Sequence, residues 1–176
     1  MKVKIKKFSP DAVIPYKTHN SDFCYDVVAT SCEEIAPNVF KYGLGIGFQI
    51  EREPTSMSIA GCGLFGPSEV YSPKKTVFTG WLDMTEFDGN ISIDLRPRSS
   101  VWKTGMVLSN CEATIDEDFT GEVSAIFYKV APGEIYKPGD RIGQIKLGFT
   151  LPMEFVEVEE FNQTVRGDGS YGSTGK

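Results

Sequence analysis

An all-β sandwich or barrel is the fold this sequence predicts, on three observations. Apolar residues alternate with polar residues or glycine in short runs, the period of a strand with one face buried. Eighteen glycines and ten prolines punctuate the 176 residues and supply turns between those runs. No long stretch carries apolar residues at helical spacing, and no internal repeat is present. Many short strands at regular spacing are the mark of sandwiches and barrels, and a chain of 176 residues is one domain with a real hydrophobic core.

Taken in order, Val3 and Ile5 alternate with lysines and predict a half-exposed first strand. Pro10 to Asn20 is turn-rich, and its His19 reads as a surface loop residue. Ser21 to Ala29 is a polar turn leading into an apolar strand with Asp26 inside it. An acid there needs a reason, either an arginine partner or a role in orienting the waters of a metal. Leu44, Ile46, Phe48 and Ile50 alternate with Gly45, Gly47 and Gln49. That predicts a strand with one buried face, its glycines leaving room for a neighbouring backbone or ligand.

Glu51 to Asn90 mixes turn residues with short β-prone pieces and reads as an inserted hairpin or extended loop, too apolar for a disordered linker. Ile91, Ile93 and Leu95 then deliver the chain to Arg96. After Arg98, Ser99 is expected to cap a short helical turn ended by Gly105. Glu122 to Tyr128 places Val123, Ala125 and Phe127 on one face, Pro138-Gly139-Asp140 makes a turn, and Ile145, Leu147 and Phe149 alternate beyond it. Val156 and Val158 alternate with Glu157 and Glu159, predicting a last strand.

The net charge of −6 argues against broad binding to nucleic acid or to an acidic membrane surface. No run approaches membrane-spanning length, and the basic N-terminus lacks the apolar core of an export signal. Cys24, Cys32, Cys62 and Cys111 are scattered, and His19 is the one histidine, so buried free thiols are expected rather than a structural zinc site. A reducing, cytoplasmic setting follows, which would be the host cytoplasm for a viral protein.

The chemistry gathers between Arg96 and Tyr128. Two arginines and two hydroxyls, Arg96, Arg98, Ser99 and Ser100, sit at a strand-to-turn junction, and Asp116 and Asp118 follow beside Gly121. Cationic and hydroxyl donors followed by a placed carboxylate suit holding phosphates while activating a water. A charged hairpin with no such role is the plain alternative. The tail from Arg166 to Lys176 matches the glycines of a dinucleotide fingerprint at Gly167, Gly169 and Gly172, and its last residues resemble a Walker loop. Neither has the strand and helix its mechanism requires. A disordered tail, or a strap that orders over a nucleotide through Arg166, Tyr171, Ser173 and Thr174, are the two readings left.

Five blocks, in order, resemble the trimeric dUTP pyrophosphatases (dUTPases): Asp22 to Ala29, Pro97 to Ser100, Asn110 to Gly121, Gly139 to Gln144 and Arg166 to Gly175. The resemblance implies a jelly-roll-like β-sandwich or distorted barrel over 1–165, with an insertion at about 51–90, and a flexible glycine-rich strap over 166–176. It also implies a homotrimer, each site assembled from three chains, that hydrolyses dUTP to dUMP and pyrophosphate by Mg2+-assisted water attack at the α-phosphorus. On this match Asp116 is the general base and Asp26 holds the waters of Mg2+ without bonding the ion. Arg98, Ser99, Ser100 and Gln144 hold phosphates. Asn110 reads the uracil edge and Phe119, in place of a usual tyrosine, packs on the deoxyribose. Arg166, Ser173 and Thr174 close over the γ-phosphate, and Tyr171 covers the base. Arg141 orders the hairpin or a subunit contact, while Ala113 stands where a glycine is common.

Two rivals are carried. A dCTP deaminase would need a glutamate where this chain has Ile126, and a second arginine where it has Lys103. A regulatory binding protein on the same scaffold would use the 51–90 insertion to meet a protein partner of unknown identity.

Overall fold

The computed structural model describes residues 2–52 and 88–164, so the expected insertion, for most of its length, and the strap lie outside the described residues. Ten strands and one 3-10 turn make up the regular structure among them. They are β1 (Lys2–Lys7), β2 (Tyr25–Val28), β3 (Glu33–Ala36), β4 (Val39–Gly43), β5 (Ile46–Glu51), β6 (Asn90–Pro97), β7 (Met106–Leu108), β8 (Ala113–Asp116), β9 (Ser124–Lys129) and β10 (Arg141–Thr150). All pairings are antiparallel, in three sheets ordered β1-β5, β2-β10-β6-β8 and β3-β4-β9-β7. The sheets do not close on one another, so the fold is a sandwich and the expected alternative of a barrel is not formed.

The core lies between the two four-stranded sheets. Ile91, Ile93 and Leu95 of β6 enter it from one side, and Val123, Ala125 and Phe127 from the other, each at the alternation expected from sequence. Tyr42, Phe127 and Tyr136 meet edge to face with ring centroids 5.7–6.0 Å apart, in the offset geometry that aromatic rings prefer. The Tyr42 hydroxyl donates to the Tyr136 carbonyl at 3.2 Å, so its burial leaves no polar atom stranded.

Three expectations change. The run from Leu44 through Phe48 is buried on both faces, with Gly45 and Gly47 enclosed as well. The expected backbone approach is real: a Cβ on Gly47 would stand 2.6 Å from the Gly121 carbonyl. Ser99 does not cap the turn; Arg98 takes the cap position with extended backbone, Ser99–Thr104 forms the 3-10 turn, and Gly105 ends it at φ 65°. Finally, the strand expected around Val156 and Val158 is absent. From Leu151 to Thr164 the chain is exposed and joins none of the three sheets. The β3–β4 hairpin was not foreseen. Its turn carries Asn38 at φ 62°, held by the Glu34 carboxylate on the Asn38 N–H.

Candidate active site

The face of sheet β2-β10-β6-β8 turned away from the core carries the polar residues. With Ile91, Ile93 and Leu95 pointing inward, the period of two leaves Ser92, Asp94 and Arg96 outward. Register sets their neighbours: Asp116 lies opposite Ser92, Thr114 and Lys146 flank Asp94, and Gln144 stands between Arg96 and Asp26. Asp26 and Asp116 are thus at opposite ends of one face. Their rows are four residues apart along β6, about 13 Å at the usual strand rise.

At one end the buried Asp26 is held from two sides. Arg98 Nε donates to Oδ1 at 3.0 Å and Arg141 Nη1 donates to Oδ2 at 2.9 Å. Arg141 also reaches the Thr18 hydroxyl at 3.3 Å. These residues and Gln144 line a cleft of about 490 Å³ whose rim includes His19, exposed as expected. The arginine partner that an acid inside a strand calls for is present, twice over. Ser99 and Ser100 sit beside Arg98 at the start of the 3-10 turn, Ser99 exposed and Ser100 half-buried.

At the other end, Asp116 closes β8 on a cleft of about 500 Å³ shared with Asn90, Ser92 and Asp118. Asp116 is exposed, and among the described residues no side chain pairs with its carboxylate. The Phe119 N–H donates to the Asp116 carbonyl at 3.1 Å, turning the chain so that the half-exposed Phe119 ring lies on Gly121. A Cβ on Gly121 would meet that ring at 2.8 Å. Asn110 is exposed in the tight turn before β8, where Cys111 takes φ 55°. Ala113 sits in plain strand register opposite Leu95, so its methyl group is accommodated.

Between the two ends, Lys146 Nζ meets the buried Asp94 at 2.6 Å, with the Ser92 hydroxyl donating to Asp94 at 2.8 Å. Burial pushes the Asp94 carboxyl up, but the bonds from Lys146 and Ser92 outweigh it and hold the group below the ordinary carboxylate range. Arg96 pairs with Glu112 at the surface. Arg141, Asp94 and Lys146 escaped the sequence reading as residues of this face. Lysine at an alternate position of β10 opposite an acid on β6 was the available signal, but it needs the register to be known.

The arrangement is a cleft lined by two arginines that hold Asp26 inside it, with Asp22 also on its lining, and a separate exposed carboxylate, Asp116, at the far edge of the same sheet. Comparison with known proteins gives the family. The dUTPase family model matches residues 70–175, more than half of the chain. The chain belongs to the dUTPase family. A deoxyuridine 5'-triphosphate nucleotidohydrolase of Nautilia profundicola is 29% identical over the full length of both chains. That of Fusobacterium nucleatum is 41% identical over 87 residues, 48% of this chain and 59% of that protein. Among solved structures, a Staphylococcus bacteriophage 80alpha dUTPase with dUpNHpp superposes with a TM-score of 0.66 at 18% identity, covering 99% of each chain. At that identity the superposition speaks for the dUTPase fold alone. Within this family frame Arg166, Tyr171, Ser173 and Thr174 lie outside the described residues. Cys24, Cys32 and Cys111 are free thiols but not the buried ones expected, Cys24 and Cys32 being half-buried and Cys111 exposed, and among the described residues no helix is long and apolar enough to cross a membrane.

Proposed function

We propose that this chain is a dUTP diphosphatase, hydrolysing dUTP to dUMP and pyrophosphate with its sites shared between copies of a homotrimer. The observation that carries the reading is the split of the polar face: Asp26 in the phosphate-suited cleft and the free Asp116 are four residues apart along the strands and three strands apart across the sheet, about 20 Å in one chain. A base must stand within hydrogen-bond reach of the water it activates, roughly 3 Å. One chain therefore does not complete a site, and the base of one copy serves the cleft of another. The arm from Leu151 to Thr164 supports association, since Leu151, Met153, Phe155 and Phe161 are 72–91% exposed and call for a partner surface.

In this reading Arg98, Ser99, Ser100 and Gln144 hold the phosphates. Arg98 turns its remaining N–H groups to the incoming triphosphate while Arg141 keeps Asp26 in place. Asn110 reads the uracil edge from its turn, and the Phe119 ring, seated on Gly121, packs on the deoxyribose and rejects a 2′-hydroxyl. Asp116 takes the proton from the water that attacks the α-phosphorus. Arg166, Ser173 and Thr174 of the 166–176 strap close over the γ-phosphate, and Tyr171 covers the base. The residues fit Mg2+ only as an ion carried on the phosphates. Among the described residues no three histidine, cysteine or acidic groups gather to cage a metal, and both Asp26 oxygens are already bonded to arginine. Such an ion would supply charge neutralisation on the triphosphate, with Asp26 meeting its waters.

A deaminase is disfavoured by one more observation. Ile126 lies beside the Asn110 turn, its carbonyl accepting the Ser109 N–H at 2.9 Å, and brings no carboxylate there. Pyrophosphate release from dUTP, dTTP, dCTP and UTP tests the proposal. Turnover confined to dUTP is expected; ammonia from dCTP without pyrophosphate from dUTP would overturn it, and binding without turnover would favour a regulatory scaffold.

A further inference from the structure

Arg52 and Glu117 form the most completely bonded ion pair among the described residues. Arg52 Nε donates to Glu117 Oε1 at 2.7 Å and Nη2 to Oε2 at 2.5 Å, a two-pronged match of guanidinium to carboxylate. Nη2 also donates to the Gly89 carbonyl at 2.9 Å, and Glu117 Oε2 accepts the Ile91 N–H at 3.3 Å. The bond from Arg52 holds the Glu117 carboxyl below its ordinary range and raises the guanidinium's own. Four bonds therefore tie together the residue after β5, the entry to β6 and the turn after β8.

That turn begins at Asp116. Glu117 is the next residue, already in the turn, so clamping its side chain fixes how the chain leaves β8 and with it the placing of Asp116 on the cleft that both residues line. The clamp also acts through charge. Asp116, Glu117 and Asp118 are three consecutive acids. Around Asp116 stand Asn90 and Ser92 of β6, Thr114 of β8 and Thr150 of β10, all uncharged; Asp94 with Lys146 is one row away, and Asp88 precedes β6. Arg52 is the cation that meets the middle acid of the three.

We propose that Arg52 and Glu117 are positioning residues for Asp116, holding both its direction and the net charge beside it through a clamp at the base of the β8 turn. This rests on the reading of Asp116 as the general base. Removing Arg52 leaves Glu117 as an added negative neighbour, which makes the base easier to protonate. Removing the Glu117 charge takes a negative neighbour from beside Asp116 while Arg52 keeps its positive charge, with the opposite effect.

The experiment is steady-state hydrolysis of dUTP across pH for Arg52→Met, Glu117→Gln, the double variant and Arg52→Lys, with thermal melting of each. Turnover in the single variants should fall roughly tenfold while KM changes much less, since the phosphate cleft lies elsewhere. The acid limb of kcat/KM should move up by about half a pH unit in Arg52→Met and down by a similar amount in Glu117→Gln. It should return near its starting place in the double variant. Arg52→Lys keeps the charge and loses the fork, so it should restore the acid limb but not the full turnover. Glu117→Gln preserves the side-chain shape and keeps the test open if Arg52→Met fails to fold. Shifts of one sign in both single variants, or none, overturn the proposal. Asp116→Asn measured alongside separates two failures. Retained turnover there overturns the base assignment, whereas lost turnover there with unchanged clamp variants overturns the clamp alone.

Discussion

The two acids at the ends of the polar face have opposite surroundings. Asp26 is buried and each of its oxygens is taken by an arginine, whereas Asp116 is exposed with no side-chain partner among the described residues. A carboxylate held by two cations is a good fixed anchor. A free one next to a fixed turn can accept a proton and be oriented. One sheet thus carries two chemistries because its ends differ in what the neighbouring loops bring. Arg98 and Arg141 come to one end, and the Phe119 turn comes to the other.

The largest effect expected from breaking this contrast is at Asp116. Asp116→Asn should lower turnover by orders of magnitude while dUTP still binds, because the phosphate donors are intact. Near wild-type turnover would transfer the role to Asp118. Deleting 166–176 comes next: the folded core should persist, since a glycine-rich tail gives it little, while turnover drops strongly. Circular dichroism and turnover on the same preparation check both halves, and full activity of the truncated chain would remove the strap from the account.

Arg141→Gln sharpens the other end. With one arginine gone, Arg98 must serve Asp26 alone, so KM for dUTP and the Mg2+ concentration for half-maximal rate should each rise several-fold, with kcat less affected. An unchanged Mg2+ requirement would show that Arg141 is structural only. The smallest effect concerns the middle of the face. Asp94 sits below the ordinary carboxylate range in the fold, so its contribution to stability is present above the unfolded value and is lost as pH falls through the lowered one. Asp94→Asn should therefore destabilise the protein at neutral pH, by about 1–3 kcal/mol as Lys146 loses its partner, and much less in acid. Melting temperature followed from pH 7 down to pH 3 reads the difference; a loss independent of pH would contradict it.

Much of the frame was legible because burial leaves a local trace. Ile91, Ile93 and Leu95 alternate in sequence and are buried in the structure, and Val123, Ala125 and Phe127 repeat the lesson. Leu44 to Phe48 misled because glycines look polar in a pattern, although the backbone at 120–121 covers Gly47 and the side chains of Ser9, Ala12 and Thr30 cover Gly45. Val156 and Val158 misled the other way: alternation alone does not bring a segment into a sheet, because pairing depends on partners distant in sequence. Glu33 to Ala36 gave no signal since that strand is exposed along its whole length. For the site, the family blocks pointed to Asp26, Arg98 and Asp116, but the partners that define their behaviour are distant in sequence. Arg141 is 115 residues from Asp26, and Arg52 is 65 from Glu117. Such pairs are set by strand register, which no local pattern reveals.

The central claim is that no single chain completes a site, and complementation between two inactive chains tests it most directly. Asp116→Asn chains keep the cleft, and Arg98→Gln chains keep the base. Co-refolded at equal amounts and assayed for dUTP turnover against each variant alone, they should regain about a quarter of wild-type activity if copies assemble at random. Mixed oligomers, confirmed by two affinity tags, that stay as inactive as either parent would contradict the shared site.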